Sequence, residues 1–222
     1  MHCLPRILGA AILSLSLSSP QASAFDTALS DEAVREAYFL GRRHDGSFQR
    51  LLEKYTRHLP PPKTGPYISS VTFLTPFAKF AQLSDRHSGD YSAQQAAFDH
   101  RGQSEEIVQI VVEIQLTDSY GRLIPTSANS RSNPPSSVVP RPHDFWRDFQ
   151  TRIYDGDQEL TPATSHGHAN SSCGRRGPCM LIGATLEFDF PADAFTSGTA
   201  AIQVTPPEGD PVSVDFDLTR LR

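Results

Sequence analysis

Long apolar runs are missing from the sequence after its first two dozen residues. No later stretch reaches the roughly 20 consecutive apolar residues that a membrane-spanning helix needs, and there is no tandem series of lipid-facing strands of barrel type. Excess positive charge is also missing: 20 Lys and Arg stand against 25 Asp and Glu, a formal net charge of −5. That balance supplies no basic surface for nucleic acid. Arg131, Arg141, Arg147 and Arg152 are scattered among acids and form no stripe. A Gly-x-Ser-x-Gly nucleophile elbow and a glycine-rich phosphate loop are both lacking, which removes two recognisable catalytic classes. Tryptophan occurs once and cysteine three times, and no internal repeat is visible.

What is present points to a globular chain. Hydrophobic residues make up 38% and charged residues 20% of the 222, enough for a sizeable core in one or two domains. Proline (18) outnumbers glycine (14), and phenylalanine (13) leads the aromatics, a composition of strands and punctuated loops.

The N-terminus has the three parts of an export signal. Arg6 is the sole charge before Asp26, Ile7 to Leu17 is apolar, and Ala22-Ser23-Ala24 forms an A-x-A cleavage site. Cleavage after Ala24 is expected to release a chain starting at Phe25. Cys3 lies inside the signal, away from the junction that a lipid-modified cysteine would occupy. The remaining pair, Cys173 and Cys179, encloses five residues (Gly174 to Pro178) and reads as a disulfide in an oxidising compartment. A redox pair has two intervening residues, so this spacing argues against that work.

Along the chain, Ser30 is placed to cap a helix with Asp31 and Glu32 in its first turn, and Gly41 to end it. Asp45-Gly46-Ser47 restarts a second helix. There Phe48, Leu51, Leu52, Tyr55 and Leu59 form one helical stripe, before Pro60-Pro61-Pro62 stops it. The period then changes to two. Strands are expected at Tyr67 to Leu74, Phe77 to Leu83, Glu106 to Thr117, Phe149 to Tyr154, Gln158 to Thr161, Met180 to Phe190, Ala200 to Val204 and Val212 to Leu218. Ser92 to His100 is a short helical insert, and Asp155-Gly156 is a hairpin turn. The alternation assigns Ile110, Val112, Leu186, Phe188, Val214 and Phe216 to the core. Glu113 and Asp217 fall on opposite, solvent-facing sides, where truncation is expected to cost less than about 0.5 kcal/mol. Truncating Phe188 or Phe216 should cost roughly 3–5 kcal/mol. The fold expected is mainly β: an antiparallel β-sandwich, with the immunoglobulin-like arrangement as the single topology preferred, preceded by an N-terminal α-helical hairpin. The divisions are a signal peptide at 1–24, the helical hairpin with its proline linker at 25–62, and the sandwich at 63–222 with a Ser/Pro-rich loop at 119–142.

Few clusters carry chemistry. His166-Gly167-His168 can offer two imidazoles from one strand face, and the nearby cysteines could complete a tetrahedral zinc site. The spacing matches no zinc module, and a disulfided surface loop is the reading preferred. Asp155, Asp157 and Glu159 are oxygen-rich enough for calcium but lack the longer loop pattern, so they read as a solvated hairpin turn. No catalytic, cofactor-binding or metal-binding residue is assigned, and no cofactor is expected.

From Asp31 onward the chain resembles a group of exported bacterial proteins with no assigned activity. Glu36-Ala37-Tyr38-Phe39-Leu40-Gly41-Arg42, His58-Leu59-Pro60, Tyr91 to Ala96, Phe145-Trp146-Arg147-Asp148-Phe149 and Val212 to Leu218 carry the likeness. The resemblance implies export and no particular reaction. The function expected is a periplasmic or secreted, non-catalytic binding module of the bacterial cell envelope, with an envelope protein or glycan as partner. The alternative is an envelope hydrolase or metal-dependent enzyme with its site on sandwich-end loops. A concave pocket of convergent His, Asp or Glu would favour the enzyme; an exposed apolar patch would favour partner binding.

Overall fold

A computed structural model describes residues 25–87, 91–102, 105–125, 138–174 and 178–222. The expected signal peptide, and residues 126–137 of the Ser/Pro-rich loop, lie outside the described residues. The elements in chain order are α1 (Asp31–Arg42), α2 (Ser47–Tyr55), β1 (Thr56–His58), β2 (Tyr67–Leu74), α3 (Pro76–Arg86) and α4 (Ala93–Arg101). Next come β3 (Ile107–Gln115), β4 (Leu123–Pro125), β5 (Val138–Pro140), β6 (Gln150–Asp155) and β7 (Gln158–Leu160). The last are β8 (Thr164–Cys173), β9 (Cys179–Pro191), β10 (Thr199–Thr205) and β11 (Val212–Asp217).

The protein is mainly β, and its strands pair antiparallel throughout. One sheet has the order β1-β2-β3-β9-β8, another β11-β10-β6-β7, and β4 and β5 form a ribbon. The two larger sheets bury facing sides in a common core. Val71, Phe73, Ile110, Val112, Leu186 and Phe190 come from the first; Ile153, Ile202, Val204, Val214 and Phe216 come from the second. The rings of Phe73 and Phe216 meet across it with centroids 5.6 Å apart. Strict alternation builds this core. Along β3, Val108, Ile110, Val112 and Ile114 are buried, while Gln109, Val111 and Glu113 remain partly open on the other side.

Three sequence expectations change. Phe77 to Leu83 is helix α3, not a strand. The Thr75 hydroxyl accepts the Ala78 N–H at 3.3 Å, and Pro76 occupies the first helical turn, where its fixed φ suits a helix. The buried positions Phe77, Ala78, Phe80, Ala81 and Ser84 follow the helical period. Second, α2 stops at Tyr55, short of Leu59. Thr56 turns extended and bonds to Thr72 at 3.0 Å, so Thr56–His58 pairs with β2. The ladder supplied by the neighbouring strand outweighs the last apolar position of the stripe. Third, Gly41 does not end α1. It lies within the helix, where a Cβ would sit 2.2 Å from the Ala81 carbonyl oxygen. Its missing side chain lets α1 press against α3, in a second cluster with Val34, Ala37, Tyr38, Phe77 and Phe80.

The face assignment of β9 holds for half its length. Ala184, Leu186 and Phe190 are in the core and Phe188 is only partly buried. Met180 and Ile182, which alternation along Met180 to Phe190 puts on the same face as Leu186, are 46% and 49% exposed because the β8–β9 hairpin runs past the end of the core.

Candidate functional site: a charged cleft over the five-stranded sheet

The side of the five-stranded sheet that faces away from the core is polar. Register places Gln109, Asp189 and Thr164 in one row across β3, β9 and β8. Val111, Glu187 and His166 form the next row, and Glu113, Thr185 and His168 the third. Because side chains alternate along each strand, all nine share that outer face. Helix α3 lies beside it and is strapped down by Lys79, whose ammonium meets the Asp189 carboxylate at 3.2 Å. The same carboxylate accepts from the Gln109 amide at 3.0 Å and from the Thr164 hydroxyl at 3.1 Å.

Between α3, α4 and this face is a cleft of about 690 Å³, lined among others by Phe80, Leu83 and Arg86 of α3, His100 of α4, Glu106 and Glu187. It continues into a smaller hollow of about 360 Å³ over Thr72, Glu113, His168 and Thr185. Gln82, Arg86, Gln109 and Glu187 line both parts, so they stand at the junction.

The cleft floor holds a nearly buried acid. His100 Nε2 lies 2.9 Å from Glu106 Oε1, and the Leu29 N–H donates to the same oxygen at 2.6 Å. Glu106 Oε2 is buried and has no partner among the described residues. In the smaller part, the Thr185 hydroxyl donates to Glu113 Oε2 at 3.0 Å and receives the Asn170 amide at 3.0 Å. Arg86 and Glu187 differ from these. Neither makes an ion pair or a side-chain hydrogen bond among the described residues, although they line the same cleft with opposite charges.

The sequence-derived candidates separate. His166 and His168 do share one face, but on strand β8 and not on a loop; the expected loop is the end of a long hairpin closed by the Cys173–Cys179 disulfide. With both thiols in that bond, no thiolate remains for zinc. Among the described residues no group of three or more His, Cys, Asp or Glu side chains can hold a metal ion. Asp155, grouped with Asp157 and Glu159 as a solvated turn, is buried. It accepts the Thr196 and Ser197 N–H groups at 2.9 and 3.0 Å, and the Ser197 hydroxyl at 2.6 Å. Burial pushes its carboxyl up, but the Ser197 and Thr196 hydrogen bonds outweigh it and hold the group below the ordinary aspartate value. Lys79, Arg86, His100 and Glu106 were not singled out in the sequence. The first two are seven residues apart, about two helical turns, and come onto one face only once Phe77 to Leu83 is read with the helical period.

No protein-family model matches the chain, and no curated protein matches it in sequence. Among the described residues no helix is long and apolar enough to cross a membrane.

Proposed function

We propose that the protein is a periplasmic or secreted binding module of the bacterial cell envelope, akin to other exported proteins of its kind, that takes its partner in the cleft between α3, α4 and the five-stranded sheet. The scaffold in this reading is an antiparallel sandwich, immunoglobulin-like in class, with α1 and α2 as the helical hairpin leading into it. The observation that carries the proposal is the pair Arg86 and Glu187: two opposite charges at the junction of one cleft, each without a partner among the described residues. Free charges at a concave site offer a ligand ion pairs that cost no internal bond to form. The disulfide supports export, because such bonds persist in oxidising compartments.

The test is retention of envelope components by the immobilised chain from Phe25 onward, compared with the double variant Arg86→Gln, Glu187→Gln. A component held by the parent and lost by the variant is expected; identical retention would overturn the cleft as the binding site. One observation favours a second reading, a hydrolase: His100 and Glu106 form a close imidazole–carboxylate pair within the same cleft. Turnover of an envelope polymer that disappears in His100→Ala would establish that reading over the first.

A further inference from the structure

Resting on the cleft as the binding site, we infer that its ligand is a short zwitterionic peptide, its carboxylate taken by Arg86 and its ammonium by Glu187. The cleft has two chemically different walls. Helix α3 contributes the cations Lys79 and Arg86, and the opposite side contributes the carboxylates of Glu105, Glu106 and Glu187, with Asp189 beside them paired to Lys79. Lys79 and Asp189 satisfy each other across the gap at 3.2 Å, closing one end. Among the described residues Arg86, Glu187 and Glu105 are left open, and of the two carboxylates only Glu187 shares the junction with Arg86, on the facing wall. A ligand with charge of one sign would satisfy one wall and face the other with a like charge; a ligand carrying both signs satisfies both. A guanidinium suits a carboxylate, which its fork can grip with two N–H groups.

Size and lining agree with a peptide. A volume of about 690 Å³ falls within the range of small-ligand sites, roughly 300–1,000 Å³. Leu83, 40% exposed, offers apolar surface on the α3 wall for a side chain, with the buried Phe80 behind it. The Gln82 and Gln109 amides at the junction can donate to and accept from a peptide backbone.

The probe is alanyl-leucyl-alanine, titrated calorimetrically into the chain from Phe25 onward. The N-acetylated form, the C-amidated form and the neutral sugar N,N′-diacetylchitobiose serve as comparisons. Each block is expected to weaken binding about fivefold, the equivalent of about 1 kcal/mol for a cleft ion pair. In Arg86→Gln the free acid and the amide should bind alike, and in Glu187→Gln the free amine and the acetylated form should bind alike. Both substitutions remove a charge that holds nothing in place, and unchanged melting temperatures confirm intact folds. Binding indifferent to both blocks overturns the inference. Tighter binding of the disaccharide, lost in the same variants, also overturns it but keeps the cleft as the site. If no probe binds while envelope retention still depends on Arg86 and Glu187, the peptide assignment alone fails; if that retention is also indifferent, the cleft fails with it.

Discussion

Gly167 lies directly beneath Trp146: a Cβ at Gly167 would fall 2.4 Å from the indole ring carbon Cε3. The glycine between two histidines is thus explained on the core side of β8. Trp146, in the turn Phe145–Asp148, packs there, while His166 and His168 point to the opposite face.

Gly167→Ala should therefore destabilise the protein by about 1–3 kcal/mol, since an overpacked site must displace the ring or the strand. His166→Ala and His168→Ala, which break no hydrogen bond among the described residues, should each change stability by less than about 0.5 kcal/mol. Urea melts of the three variants make the comparison. Equal losses at all three would mean that the imidazoles are structural.

Asp155 joins the end of β6 to the segment entering β10 through the Thr196 and Ser197 bonds. Its folded-state carboxyl lies below the unfolded value, so its stabilisation is present above about pH 4, the unfolded aspartate value. That stabilisation is lost as pH falls through the folded value. Asp155→Asn should cost about 1–3 kcal/mol at neutral pH. The gap from the parent should narrow in acid, as denaturant melts at stepped pH would show.

The disulfide closes the β8–β9 hairpin end, away from the core. A loop this short is worth about 2 kcal/mol by chain entropy. Replacing both cysteines by serine should lower stability by no more than that and leave the fold intact. Thiol titration of the denatured parent should find no free thiol at Cys173 or Cys179.

Phe216 is fully buried and touches Phe73, so Phe216→Ala should cost roughly 3–5 kcal/mol. Phe188 only packs on the edge of the same cluster, and its truncation should cost clearly less, contrary to the equal losses that alternation suggests. Calorimetric melts of the two variants would separate them.

Alternation alone puts Glu113 on a solvent-facing side, where Glu113→Ala is neutral. Its carboxylate accepts the hydroxyl of Thr185, a buried side chain, and removing it leaves that hydroxyl with Asn170 alone. A loss of about 1–2 kcal/mol is the revised expectation. Thr185→Val in the same background should recover part of it if the unsatisfied hydroxyl is the cause.

Much of the scaffold is written locally. The Ser30 cap with Asp31 and Glu32 and the alternation of β3, β10 and β11 depend on neighbours a few residues away and occur where expected, while the β6–β7 turn falls one residue later, at Gly156-Asp157, than the Asp155-Gly156 expected. The cysteine spacing likewise anticipated the Cys173–Cys179 bond.

Decisions that depend on distant partners were not legible. Whether Thr56 leaves its helix turns on pairing with the distant strand at Thr72, whereas Phe77 to Leu83 carries local helix signals, the Thr75 cap and Pro76, that the period-two reading passes over. The cleft is the extreme case: Arg86, Glu187 and His100 come from three elements, and His100 meets Glu106 only because α4 returns to the start of β3. Period and capping are short-range effects and survive in a linear reading. The sharing of a cleft by opposite charges is a property of how helices lie on a sheet, and it exists only after the chain has closed on itself.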